Sequence, residues 1–323
     1  MKAVVQDKYG SADVLELRDV ERPTPSDDEV LVRVKAAGVN MADWHMMAGK
    51  PTIMRLFGVG FRAPKQPIRG SDVAGVVEEV GSGVTQFVPG DEVFGSARGA
   101  FAEFATARVK RLLPKPEGVS FEQAAAVSMV GYTALQALRA GDVSLDALGG
   151  QRILVIGAAG GVGSMTVQLA KHFGATVTGV CSTAKVALVR SLGADDVIDY
   201  VHGTLQGIYD VIVDTAGNRL LGTLRRLLTP KGRLVIVGGE GGGSVLGALK
   251  RNLRAAAMGP FTGQKLIGLM AMESPDDLAI MRDLLACGAI TAPIERTFSL
   301  AEAADAIRHL EAGRAMGKVV VVP

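Results

Sequence analysis

The stretch of this 323-residue chain whose residue types and spacing could most directly do chemistry is Gly157-Ala158-Ala159-Gly160-Gly161-Val162-Gly163. It lies between an apolar run, Arg152-Ile153-Leu154-Val155-Ile156, that reads as a short strand, and a segment, 162–173, with helical apolar spacing that ends at Gly174. A glycine-rich turn from strand into helix can cradle a pyrophosphate, because the helix start offers unpaired N–H groups and the positive end of its dipole. The fingerprint G-x-G-x-x-G would need glycine at 158, and Ala158 stands there, so the match is A-x-G-x-x-G. Its physics survives: Gly160 permits close backbone approach to a pyrophosphate, and Gly163 permits close packing of helix on strand. In this strand-loop-helix setting the loop predicts dinucleotide binding, against the alternative of a merely structural turn.

The residues after the next strand bear on which dinucleotide. An NAD site normally places an acid there, about 20 residues past the loop, to accept from the adenosine ribose. Here the segment reads Val180-Cys181-Ser182-Thr183-Ala184-Lys185, with no acid until Asp195. Ser182, Thr183 and Lys185 can all donate to a 2′-phosphate, which predicts NADPH over NADH. The competing reading has Ser182 or Thr183 capping a helix that starts near Ala184, with Lys185 in solvent. Tyr200, after the third strand, either reaches the same phosphate or packs on the surface.

These residues need a scaffold, and the pattern from about residue 150 supplies one. Apolar runs at 152–156, 175–180, 196–198, 210–213 and 233–237 alternate with helical stretches such as 185–192 and 220–228. Near-continuous apolar strands between helices predict a doubly wound parallel sheet covered on both faces, an α/β fold. Upstream the chain reads as β-rich: 14–20, 30–34 and 73–80 are strand-like, punctuated by Pro23, Pro25, Gly81-Ser82-Gly83 and Pro89-Gly90-Asp91. The tail reads as two helices, 274–288 and 300–311, and a last strand, 318–322. With 35 Lys plus Arg against 33 Asp plus Glu, the net charge of +2 argues against a nucleic-acid surface. Cys181 and Cys287 are too few for a disulfide framework or a four-cysteine zinc site, so a reduced, cytoplasmic chain is expected. The opening residues leave no room for a signal peptide, and no run of about 20 apolar residues predicts a membrane span.

A further set of motifs carries a family resemblance. Ala36-Ala37-Gly38-Val39-Asn40 with Asp43, then Gly70-Ser71-Asp72-Val73-Ala74-Gly75, Gly90-Asp91-Glu92-Val93-Phe94-Gly95, Gly131-Tyr132-Thr133-Ala134 and Gly317-Lys318-Val319-Val320 occur in that order around the 158–163 loop. This resembles the medium-chain dehydrogenase/reductases over nearly the whole chain, most closely their zinc-free quinone oxidoreductase-like branch. The resemblance implies a GroES-like β-rich catalytic domain, 1–127 and 271–323, split around a Rossmann NADPH-binding domain, 128–270, with the site in the cleft and a homodimeric assembly. The apolar segment 266–272 could contribute the interface.

It also implies roles. Asn40 and Asp43 would lie beside the nicotinamide, and Thr133 would bond its ribose or amide. Ala159, Gly160, Gly161 and Val162 would face the pyrophosphate, Ala216 and Gly217 the adenosine side, and Val237 and Gly238 the nicotinamide face. Lys318 would approach from the returning tail. For several of these a plainer reading stays open: Asn40 closing a turn, Thr133 as an N-terminal helix residue, Lys318 in solvent. Several relatives carry a tyrosine two residues after the aspartate, and His45 stands there, either as proton donor or packed against Trp44. The apolar residues at 46–47 and 53–61 either wall a wide substrate pocket or belong to core or an oligomer contact.

The zinc-dependent branch has Cys where Asn40 stands and Gly-His-Glu where Gly70-Ser71-Asp72 stands. With both ligands gone and His45, His172, His202 and His309 in no H-x₃₋₅-H or H-E-x-x-H spacing, no catalytic metal is expected. Hydride acceptors that need no Lewis acid, quinones and α,β-unsaturated carbonyls, then fit best. The alternatives are an NADPH-binding regulatory or interaction protein with little turnover, or a zinc-free aldehyde or ketone reductase.

Overall fold

The structure is a computed structural model that describes residues 1–56, 59–143, 150–238, 251–255 and 263–323. The chain divides into two units, 1–130 with 273–323, and 131–272. The joins fall three and two residues later than the expected boundaries, and the first lies inside a helix, Ser128–Ala140, whose opening turn stays with the first unit.

In the first unit a small antiparallel pair, β1 (Lys2–Val5) and β2 (Glu16–Asp19), precedes the long strand β3 (Glu29–Val39). β3 is buried at nine of its eleven positions, because it pairs on both sides and is covered on both faces. Its partners include β4 (Asp72–Val80) and β6 (Phe104–Arg108), and β5 (Glu92–Ser96) links β4 to β7 (Leu112–Pro114). β3 runs straight into helix α1 (Met41–Ala48) at Asn40, and α2 (Phe121–Ala125) leads to α3 (Ser128–Ala140).

The second unit is a six-stranded, all-parallel sheet in the order β10-β9-β8-β11-β12-β13. Its strands are β8 (Arg152–Ile156), β9 (Thr176–Cys181), β10 (Asp196–Asp199), β11 (Tyr209–Asp214), β12 (Leu228–Ile236) and β13 (Lys265–Gly268). Strands leave β8 outward in both directions, so the strand order reverses between β8 and β11; such switch points open a crevice at the strands' C-terminal ends. Helix α4 (Gly161–His172) connects β8 to β9. The parallel sheet and the expected helices are observed; β13 is an edge strand that the apolar run 266–272 conceals, since four residues of parallel strand lack a distinguishing period.

The chain then returns to the first unit through the helix Pro275–Ala286, strand β14 (Ile294–Ser299), the helix Ala303–Glu311 and β15 (Lys318–Val322). β15 inserts beside β3, antiparallel, with Val319 opposite Val39 and Val321 opposite Ala37. The first unit's core mixes both ends of the chain, with Val32, Val39, Met47 and Phe101 packed with Phe298, Ile307 and Val319. No helix among the described residues is long and apolar enough to cross a membrane.

Packing of α4 on β8 makes one steric demand. A Cβ on Gly163 would sit 2.1 Å from the carbonyl oxygen of Gly157, a backbone atom that cannot yield. Gly163→Ala is therefore expected to lower the urea-unfolding free energy by about 1–3 kcal/mol, and an unchanged midpoint would contradict that packing.

Candidate functional site

Predicted site residues occur in both units. In the first, the antiparallel register that sets Val319 against Val39 brings Lys318 to Asn40, 278 positions away in sequence. Lys318 is buried, and its Nζ donates to Asn40 Oδ1 at 2.6 Å and to the Val39 carbonyl at 2.9 Å. With Oδ1 taken, Asn40 turns its Nδ2 to Asp72 Oδ2 at 3.0 Å, which fixes the amide's orientation from both ends. The main-chain N–H of Asn40 donates to Asp43 Oδ2 at 2.8 Å, so Asp43 caps the start of α1 from its third position. Ser71 Oγ lies 3.4 Å from Asp43 Oδ1. Asp72 also receives the Met129 N–H at 3.2 Å, at the N-terminus of α3.

Four ionisable groups are thus buried together: Asp43, Asp72, Lys318 and, beside them, Arg69. Burial pushes the Asp43 carboxyl up to about 7, with the charge of Asp72 adding to the effect and Lys318 and Arg69 opposing it. Burial also raises Asp72, to about 6, with the Lys318 ammonium and the Asn40 amide working against it. The same burial lowers Lys318 and Arg69. Asp72 Oδ1 and Ser128 Oγ are buried with no hydrogen-bond partner among the described residues, and such orphans mark a place where a further polar group is accommodated.

In the second unit every predicted contact residue except Thr133 stands at a C-terminal strand end. Ala159, Gly160, Gly161 and Val162 leave β8 and open α4, whose first N–H groups have no intrahelical partner. A Cβ built on Gly160 meets nothing nearer than Gly157 O at 3.5 Å, so the fold itself does not require glycine there. What glycine preserves is an open front on the turn, the cradle that close approach of a pyrophosphate needs. Ser182, Thr183 and Lys185 form the short turn after β9, and Tyr200 follows β10, half exposed, with the Arg219 guanidinium 5.6 Å from its ring centre. Ala216 and Gly217 follow β11, and Val237 and Gly238 follow β12, where both donate N–H to the Asp214 carbonyl. Thr133 lies on α3 and is nearly buried.

At three places the structure bears on alternatives that the sequence left open. Lys318 is not in solvent but at the centre of the buried network. His45 turns Nδ1 to the Lys50 carbonyl at 3.0 Å and its ring edge to Trp44, with centroids 4.9 Å apart. A carbonyl only accepts, so Nδ1 donates in this contact, and burial lowers the ring's pKa while the Lys50 carbonyl opposes the shift. Met47 is core, Phe61 is 69% exposed, and residues 57–58 of the proposed apolar wall lie outside the described residues.

Sequence reasoning passed over Asp72, Arg69 and the pair Asp214–Arg251. Asp214 is fully buried, accepts the Gly217 N–H at 3.0 Å and pairs with Arg251, which also donates to the Gly217 carbonyl. The signal for both aspartates was an acid at the end of an apolar strand, Asp72 opening β4 and Asp214 closing β11. Among the described residues no group of three or more His, Cys, Asp or Glu side chains is arranged to hold a metal ion.

Residues 26–117 match the alcohol dehydrogenase GroES-like domain family and residues 192–321 a zinc-binding dehydrogenase family. The chain is 34% identical to the NADPH-dependent alkenal/one oxidoreductase, chloroplastic, of Arabidopsis thaliana, over all of this chain and 80% of that protein. It is 35% identical to a quinone oxidoreductase of Pseudomonas aeruginosa, over 98% and 97% of the two chains. A crystal structure of Escherichia coli quinone oxidoreductase complexed with NADPH superimposes with a TM-score of 0.84 at 25% identity, covering 100% of each chain.

The raised Asp43 carboxyl makes a stability prediction. Between the ordinary value of 3.8 and about 7 the folded chain binds the Asp43 proton more tightly than the unfolded chain. The resulting stabilisation is present at low pH and is lost as pH rises through that window. The melting temperature of the parent chain minus that of Asp43→Asn should fall steadily from pH 4 to pH 8; a flat difference would contradict the shift.

Proposed function

The chain belongs to the medium-chain dehydrogenase/reductase superfamily, in its quinone oxidoreductase-like branch, and from that premise we propose an NADPH-dependent oxidoreductase that transfers hydride to a quinone or an α,β-unsaturated carbonyl. The observation that carries this reading is the open glycine turn at the switch point of the parallel sheet, at a position where the fold itself has no need of glycine. The names of the Arabidopsis and Pseudomonas relatives support the substrate class, and the Escherichia coli complex supports the cofactor.

The residues fit the cofactor. The N–H groups of Gly161 and Val162 would hold its pyrophosphate, and Ser182, Lys185 and Tyr200 its 2′-phosphate, while the Asp214–Arg251 pair stiffens the Ala216–Gly217 turn on the adenosine side. NADPH, when bound, supplies the hydride. The chain's part is to orient and to manage a proton. Lys318 and Asp72 lock the Asn40 amide, which presents one fixed face. Asp43, titrating near neutral pH with Ser71 Oγ at its Oδ1, holds a proton that can balance the arriving hydride, a role better matched to it than to His45.

We read the reaction as metal-independent because of the donor set. The acceptor oxygen of Asn40 is already bonded to an ammonium, and Ser71 replaces an imidazole, so a zinc ion would have to displace Lys318 and compete with its charge. We also read the chain as a homodimer joined at the edge strand β13, beside which Met270 and Met272 are 87% and 71% exposed.

NADPH oxidation across a panel of quinones, enones and simple ketones is expected to show turnover with the first two classes, and no turnover with any of them would leave a dinucleotide-binding protein. Dialysis against a chelator should leave that activity unchanged; loss restored by zinc would overturn the metal-free reading.

A further inference from the structure

The C-terminal edge shared by β9 and β10 carries a charge that residues 180–185 alone do not show. β10 pairs with β9 in a register that sets Asp199 opposite Cys181, and the N–H of Tyr200 donates to the Cys181 carbonyl at 3.1 Å. The last residue of β10 therefore stands beside the turn that follows β9. The Thr183 hydroxyl donates to the Asp199 carboxylate, and the Val201 N–H donates to its Oδ1 at 2.9 Å. These two donors, with His202 nearby, hold the carboxyl below its ordinary range, so the acid is ionised at neutral pH and fixed in direction. A carboxylate has about four acceptor sites, so two donors leave it able to accept more.

This edge is where a sheet of this kind meets the adenosine ribose: an acid there accepts from a 2′-hydroxyl, and cations accommodate a 2′-phosphate. Here both kinds of group occupy one edge. Lys185 comes from the turn after β9, Arg219 lies over the Tyr200 ring, and the acid arrives from β10 rather than from β9, where the usual spacing looks for it. Thr183, expected to donate to a 2′-phosphate, instead donates its hydroxyl hydrogen bond to Asp199.

Resting on the NADPH reading above, we propose that Asp199 sets cofactor specificity: its carboxylate accepts from the ribose 2′-hydroxyl of NADH and opposes the 2′-phosphate of NADPH. The chain then binds both dinucleotides, and Lys185 with Arg219 tips the balance toward NADPH.

Calorimetric titration of the purified chain and of Asp199→Asn with NADPH and with NADH tests this without reference to turnover. Removing one like charge is expected to tighten NADPH about tenfold and to loosen NADH about threefold. The same direction of change is expected for adenosine 2′,5′-bisphosphate against 5′-AMP, which differ only at the 2′-position. Thr183→Val, which keeps the charge but frees the carboxylate, should loosen NADH while leaving NADPH the weaker binder relative to Asp199→Asn. Tight NADPH binding by the parent with a dissociation-constant ratio that moves less than about twofold in Asp199→Asn overturns the role of Asp199 and leaves the NADPH reading standing. Failure of the parent to bind either dinucleotide removes that reading and the proposal with it.

Discussion

An ammonium buried at the end of a β-strand cannot stay there alone. Desolvating Lys318 without partners would be prohibitive, and the first unit meets that demand with a carbonyl, an amide oxygen and two carboxylates. Everything around it follows from this requirement. Asn40 must present Oδ1 to the ammonium, so its Nδ2 must find an acceptor, and Asp72 provides it from the neighbouring strand. Asp72 in turn accepts the Met129 N–H at the start of α3, and Asp43 closes the turn at Asn40. The result is a side-chain amide held rigid by charges rather than by apolar packing, at the point where β3 ends and α1 begins.

The second unit obtains rigidity differently. Its parallel sheet places strand ends, loops and helix starts along one edge, so residues scattered from 157 to 238 become neighbours by topology. There the main chain supplies most of the polar groups at the strand ends, and a buried charge pair, Asp214 with Arg251, braces a turn instead of a side chain. One unit thus organises functional groups by electrostatics and the other by backbone geometry.

Features that depend on local sequence were legible. The glycine loop, the strand-helix alternation and the short turn 182–185 all declare themselves within a few residues, because φ/ψ preference and apolar period are local properties. The family motifs carried Asn40, Asp43 and Lys318 as separate members but not the bond between them, since a strand register spanning 278 positions has no local signature. Asp199 was hidden for the same reason. The usual spacing places an acid after β9, whereas this acid belongs to the adjacent strand. For His45 the sequence left proton donation and packing against Trp44 both open, because only a folded chain sets its contacts with the Lys50 carbonyl and the Trp44 ring.

The insertion of β15 beside β3 also orders events during synthesis. Residues 131–272 form a unit of their own, between the two segments that make up the first unit. The first unit lacks its Lys318 until residues 131–272 have been made, and until then Asp43 and Asp72 do not have that ammonium to face. Residues 1–130 therefore carry an unfinished acidic pocket for as long as the intervening unit is being synthesised.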